Sequence, residues 1–105
     1  MTEFVQITTT TGSRHDAEQI AAELVSRRLA GCVQVSGPIV STYRWQGKVE
    51  TAEEWMCVVK TSRAMVGEIQ RVIGELHSYE VPEVIATPIV GGSEKYLAWL
   101  AGELG

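Results

Sequence analysis

Two side chains of this sequence can hold a soft or borderline metal, Cys32 and His77. Thiolate and imidazole are the ligands that copper and zinc prefer. His77 ends a helical pattern. A helix C-terminus favours its protonated form, a metal requires the neutral one, and capping the helix is the competing role. Cys32 suits a small buried hydrophobe, with a soft metal ligand as the competing role. Cys57 sits inside an apolar run and reads as core. A second set, Tyr43, Trp45, Lys60, Tyr79, Glu80 and Glu83, offers aromatic faces, a cation, a phenol and carboxylates at strand and helix ends. These groups suit a small anion or a hard cation as ligand, or stand as solvated charges. The two-residue spacing of Tyr43 and Trp45 puts both rings on one face of a strand, lining a cleft or packing on another subunit. His15 falls in the first turn of a helix and is expected to be exposed. No glycine-rich phosphate loop, Cys-x-x-Cys pair or His-Glu-x-x-His motif occurs, and nothing resembles an activated nucleophile. No enzymatic activity is expected.

The element that must position most of these groups is a long hairpin from Cys32 to Thr61. Strand formers lead in to Gln46-Gly47 and out again, and a polar residue followed by glycine suits the tight turn. Fully extended, Cys32 to Gln46 would span ~50 Å. A compact chain of this size has a radius of gyration of ~13 Å. The arm is therefore expected to bend, to project, or both, with Gly37-Pro38 as the bend; a loop between two shorter strands is the alternative. Proline cannot donate to a ladder, so this strand is expected at a sheet edge or bulged there. With Trp45 opposite Lys48, the register places Cys57 opposite Ser36 and the two sulfurs ~13 Å apart along the strand, too far for a bridge.

Around the hairpin, Phe4 to Thr11 reads as a strand. Ser13 caps a helix running to about Ala30, with Gly31 just beyond its end. Ala17, Ile20, Ala21 and Leu24 form its apolar face, and Glu23 can pair with Arg27. Ser62 is expected to cap a second helix, about Arg63 to His77, in which Gly67 and Gly74 allow close packing. Pro82 keeps Val81 out of a helix. Val84 to Val90 reads as a last strand, with Pro88 marking an edge position or an early finish, and Ser93 caps a terminal helix. The order β-α-β-β-α-β plus a helix predicts an α+β split β-α-β, or ferredoxin-like, sandwich. Helices cover one sheet face only. The run Trp55 to Val59 is apolar on both, so an oligomer is expected to cover the other.

With 105 residues, a single domain over 1–105 is expected. The 45% hydrophobic content suits a core, and the net charge of −4 argues against a nucleic-acid partner. An RNA-recognition domain would also need stacking aromatics on its inner strands. No apolar run approaches the ~20 residues of a membrane helix, and no signal-peptide pattern opens the chain. Two cysteines make no disulfide framework, so a cytoplasmic location is expected.

Several separate motifs then fall in a recognisable order: Leu29-Ala30-Gly31-Cys32-Val33, Ser41 to Glu50 at the hairpin tip, Lys60-Thr61, His77 to Glu83, and Tyr96 to Leu100. Across essentially the whole chain this closely resembles the CutA family of divalent-cation tolerance proteins. The resemblance implies a tight homotrimer similar to PII signalling proteins, an association with copper tolerance and metal binding, and no established reaction. Animal relatives are linked to anchoring acetylcholinesterase. Some bacterial members are described with a copper site made by a first-strand cysteine and two adjacent histidines. The matching positions are Thr9, Leu76 and His77, of which only His77 could bind copper, so that site is expected to be absent. Gly31, Gln34 and Ser78 depart mildly from the frequent Ala, Asn and Pro. The expectation is a trimeric copper or divalent-metal binding protein without an obligatory cofactor. The alternative is a PII-like trimer that takes a small ligand or another protein without metal.

Overall fold

In a computed structural model describing residues 3–105, β1 (Phe4–Thr11) alternates as its sequence dictates. Val5, Ile7, Thr9 and Thr11 point into the core and are buried. Ser13 Oγ accepts from the Asp16 N–H at 3.1 Å and starts α1 (Arg14–Ser26). Ala17, Ile20 and Leu24 face inward, and Arg27 donates to Glu23 at 2.8 Å on the wet side. The helix stops four residues before Ala30. Arg28, at φ 59°, takes the left-handed position expected of Gly31. The Arg28 N–H bonds Val25 O and the Leu29 N–H bonds Leu24 O, the paired closure of a Schellman motif. Arginine tolerates this backbone because its guanidinium donates to the carbonyls of Glu103 and Gly102 at 3.0 and 2.9 Å. Gly31 has a different use: a Cβ there would come 2.5 Å from Leu100 Cδ1, so its absence lets the terminal helix seat Leu100.

The hairpin comprises β2 (Cys32–Trp45) and β3 (Lys48–Ser62), with Gln46 and Gly47 both at positive φ and Trp45 opposite Lys48. At Gly37-Pro38 the register shifts by one. Two residues of β2 oppose one of β3, a bulge. Cys57 therefore faces Val35 rather than Ser36, and Cys32 faces Lys60. Both thiols are free. They are also closer along the strand than the unbulged register required, by one residue, but they lie on opposite sheet faces. The molecule measures 44 × 25 × 22 Å, with a radius of gyration of 14.3 Å, so the arm both bends and projects.

After Ser62 the chain makes a short 3-10 turn, Arg63–Met65, before α2 (Val66–Leu76). Ser62 makes no side-chain capping bond, in contrast to the sequence reading. Ile69, Val72 and Ile73 are buried against Ile7, Ile20, Leu24 and Val59, each such side chain stabilising by about 1.5–3 kcal/mol. Gly67 and Gly74 face open space, so close packing is not their role. β4 (Ile85–Pro88) starts one residue late and takes the early finish at Pro88, and α3 (Glu94–Glu103) begins at a Ser93 cap. The sheet is antiparallel in the order β2-β3-β1-β4, so both proline-bearing strands are edges. This is the ferredoxin-like sandwich with an added C-terminal helix.

Candidate functional site

Side-chain parity along the hairpin decides what meets what. On β3, Glu50, Ala52 and Glu54 share a face with Met56, Val58 and Lys60, the face away from the helices. On β2 the bulge switches parity. Before it, Cys32, Gln34 and Ser36 share that face; beyond it Ile39, Ser41, Tyr43 and Trp45 do. The turn fixes Trp45 opposite Lys48 and Tyr43 opposite Glu50, so the rings keep the face of Glu50 and Glu54, and the extra residue resets only the partners of Cys32 to Ser36. The segment 77–83 then crosses the end of β1 onto the same face. Between it and the arm lies a cleft of about 710 Å³, whose lining includes Tyr43, Trp45, Tyr79, Glu80 and Glu83. Five of the six expected ligand residues thus converge.

Lys60 does not. It lies six residues of β3 beyond Glu54, ~20 Å along the strand, where its Nζ donates to Gln34 Oε1 at 2.7 Å. The cleft has no cationic lining side chain, and its other carboxylates are Glu50 and Glu54. A small anion would find only repulsion there. Glu54 was not singled out from sequence. Its two-step spacing from Glu50, in phase with Tyr43 across the hairpin, was the available signal.

His77 anchors the segment that closes the cleft. Its N–H bonds Ile73 O at 2.8 Å and caps α2. Its ring Nε2 lies 2.6 Å from Thr10 O, while Nδ1 accepts from the Tyr79 N–H at 3.0 Å. A carbonyl on one side and an amide N–H on the other demand the neutral Nε2–H tautomer. Both nitrogens are engaged, and a metal would have to displace one of these bonds. Cys32 is remote: it pairs with Lys60, whereas Thr10 pairs with Met56, four residues or ~13 Å away along β3. Thr9 faces the helix layer, fully buried opposite Cys57. Its hydroxyl has no partner, and burial pushes the Cys57 thiol up to about 11, away from a metal-binding thiolate. Among the described residues no group of three His, Cys, Asp or Glu side chains is placed to hold a metal ion.

Tyr79 completes the wall. Its ring stacks at a tilt on His77, centroids 4.7 Å apart, and its hydroxyl donates to Glu54 Oε2 at 2.9 Å. It lies close over Gly12, where a Cβ would come 3.1 Å from the phenol oxygen. Burial, then the bond to Glu54, push the phenol up to about 12. A raised pKa favours the protonated form in the fold. Its contribution is whole below about pH 10, the unfolded value, and is lost as pH rises toward 12. Ultraviolet difference titration of wild type against Tyr79→Phe should place this phenol well above the ordinary range, and Glu54→Gln should bring it down. A normal titration in the wild type would contradict the pairing.

These features define a ferredoxin-like sandwich with a ligand-sized, acidic and aromatic cleft beneath a long hairpin arm. The profile of the CutA1 divalent ion tolerance protein family matches residues 5–103, and the chain belongs to that family. It is 40% identical over 105 residues to the divalent-cation tolerance protein CutA of Thermus thermophilus, covering 100% of each chain. It is 40% identical over 91 residues to a chloroplastic CutA protein of Arabidopsis thaliana, covering 87% of this chain and 50% of that one. The chain spans about half the length of the plant relatives it matches. The crystal structure of CutA from Xylella fastidiosa superposes with a TM-score of 0.94 at 38% identity, covering 97% of this chain and 98% of that one. CutA1 from Oryza sativa gives 0.95 at 34% identity, covering 98% and 94%.

Proposed function

We propose that the chain acts as a homotrimer in divalent-cation tolerance, taking copper or another divalent metal weakly and reversibly. It has no obligatory cofactor, catalyses no reaction of its own and works in the cytoplasm, the compartment that two unpaired cysteines suit. The state of His77 carries the metal part of this reading. It is the sole borderline ligand matching the copper set described for relatives, and both its nitrogens are already bonded. Copper must compete with Thr10 O or the Tyr79 N–H, which weakens binding. Calorimetric titration with Cu²⁺ is expected to show weak binding that His77→Ala abolishes. Tight stoichiometric binding that ignores the substitution would overturn it.

The cleft supports a second reading, a PII-like trimer that answers a small ligand or another protein without metal. Its carboxylates line a ligand-sized volume but do not gather at one point. The trimer part rests on the uncovered sheet face. Met56 and Val58 are only half-buried there, and on the opposite face of the arm Val40 and Val49 are 76% and 64% exposed. Edge strands β2 and β4 remain free for pairing with another copy.

A further inference from the structure

We propose that the cleft binds a linear oligoamine, an organic cation carrying several protonated amines along a flexible chain. The proposal deepens the small-ligand reading above and rests on it. Its first support is Glu54. This side chain lines the cleft yet is only 6% exposed. Its carboxylate accepts one bond from the neutral Tyr79 phenol, and among the described residues no cation pairs with it. A buried carboxylate without a counter-cation calls for a positive occupant.

The arrangement of charge selects the kind of cation. Glu50 and Glu54 lie four residues apart on one strand, ~13 Å, and Glu80 and Glu83 stand on the facing segment. No three of these acids are placed to hold a metal ion, so a compact divalent ion would satisfy one or two and leave the rest. Ammonium groups spaced along a chain can meet several in turn. Tyr43 and Trp45, on the same face as Glu50, line the cleft, and aromatic rings attract an ammonium and cover methylenes between charges. Val81 and Pro82 add apolar wall. Carboxylates fix the ends of such a ligand and the aromatic and apolar groups hold its middle.

Spermidine titrated into the intact protein, followed by calorimetry and tryptophan fluorescence, tests the proposal. Saturable binding is expected, persisting in Mg²⁺ at matched positive charge and absent with a neutral diol of similar length. Glu54→Gln and Trp45→Leu should each weaken it about tenfold. Because Glu54 is buried, its variant is checked for native circular dichroism, and the exposed Glu50→Gln gives an independent loss of a few-fold. Loss of binding to matched Mg²⁺, or affinity unchanged in all three variants, would overturn the proposal by reducing the cleft to a general acidic surface. Absence of spermidine binding while a neutral or anionic compound binds and responds to Trp45→Leu would overturn the oligoamine and leave the small-ligand reading standing. A crystal structure of the assembly with a neighbouring copy's side chain filling the cleft and pairing with Glu54 would overturn both.

Discussion

Gly37→Ala is expected to destabilise the protein by about 2–4 kcal/mol, by the overpacking and backbone-strain mechanisms combined. Gly37 sits at φ +156°, in a region that L side chains rarely adopt. A Cβ there would lie 2.6 Å from Trp55 Cδ1, 2.8 Å from Trp55 Cγ and 3.1 Å from Glu54 O. The indole is a rigid ring and the carbonyl is backbone, so neither can retreat cheaply. The residue also holds the bulge that joins the arm carrying Tyr43 and Trp45 to the sheet, beside Glu54. Loss of stability should therefore come with loss of cleft geometry, read as a change in tryptophan fluorescence. Gly47→Ala is the control for strain without a clash, since Gly47 at φ +78° has nothing within 4 Å; a loss of about 1 kcal/mol is expected. Denaturant midpoints at one fixed protein concentration compare the three proteins. Equal, small losses at both glycines would show that the bulge can relax around a methyl group.

Val58→Glu is expected to dissolve the proposed trimer. Val58 lies mid-sheet on the face away from the helices, between Thr8 on β1 and Gln34 on β2. Met56 and Lys60 flank it on that face. If three copies cover this surface, three carboxylates would be brought together out of water, and the flanking Lys60 side chains, already bonded to Gln34, would offset only part of their repulsion and desolvation, so the assembly should come apart. Light scattering should give a trimeric mass for the wild type at micromolar concentration, a melting temperature that rises with concentration, and dissociation for the variant. A stable wild-type monomer would refute the trimer. A variant that stays trimeric would move the interface to another face.

The hairpin shows both how far residue patterns reach and where they stop. Gln46-Gly47 was legible as the turn because both residues had to accept positive φ, and both do. Gly37-Pro38 was legible as a break in the ladder because proline has no N–H. The consequence of that break was not legible. Nothing local says whether such a pair forms a loop or a single-residue bulge, yet only a bulge moves Cys57 from Ser36 to Val35 and brings Cys32, Gln34 and Ser36 to the face that Tyr43 and Trp45 share with Glu50 and Glu54. Helix ends divide in the same way. Ser13 and Ser93 cap through bonds to residues three positions on. Ser62, by the same pattern, does not, because the chain first tightens into a 3-10 turn.

By itself the sequence determined the element order, the edge strands, the buried face of the first helix and the family, because each rests on short-range periodicity, turn chemistry or motifs read along the chain. It also put Tyr79, Glu80 and Glu83 on one segment and Tyr43 and Trp45 on one strand, without saying that segment and strand meet. Only the tertiary structure decided the rest. Tyr79 reaches Glu54 across 25 positions, His77 reaches Thr10 across 67, and Arg28 reaches Gly102 and Glu103 across 74 and 75. Those contacts close a histidine that looked free, separate Lys60 from the acids it was grouped with, and let an arginine hold a glycine's backbone. Each depends on where two distant segments come to rest, and composition or spacing within either segment carries no record of that.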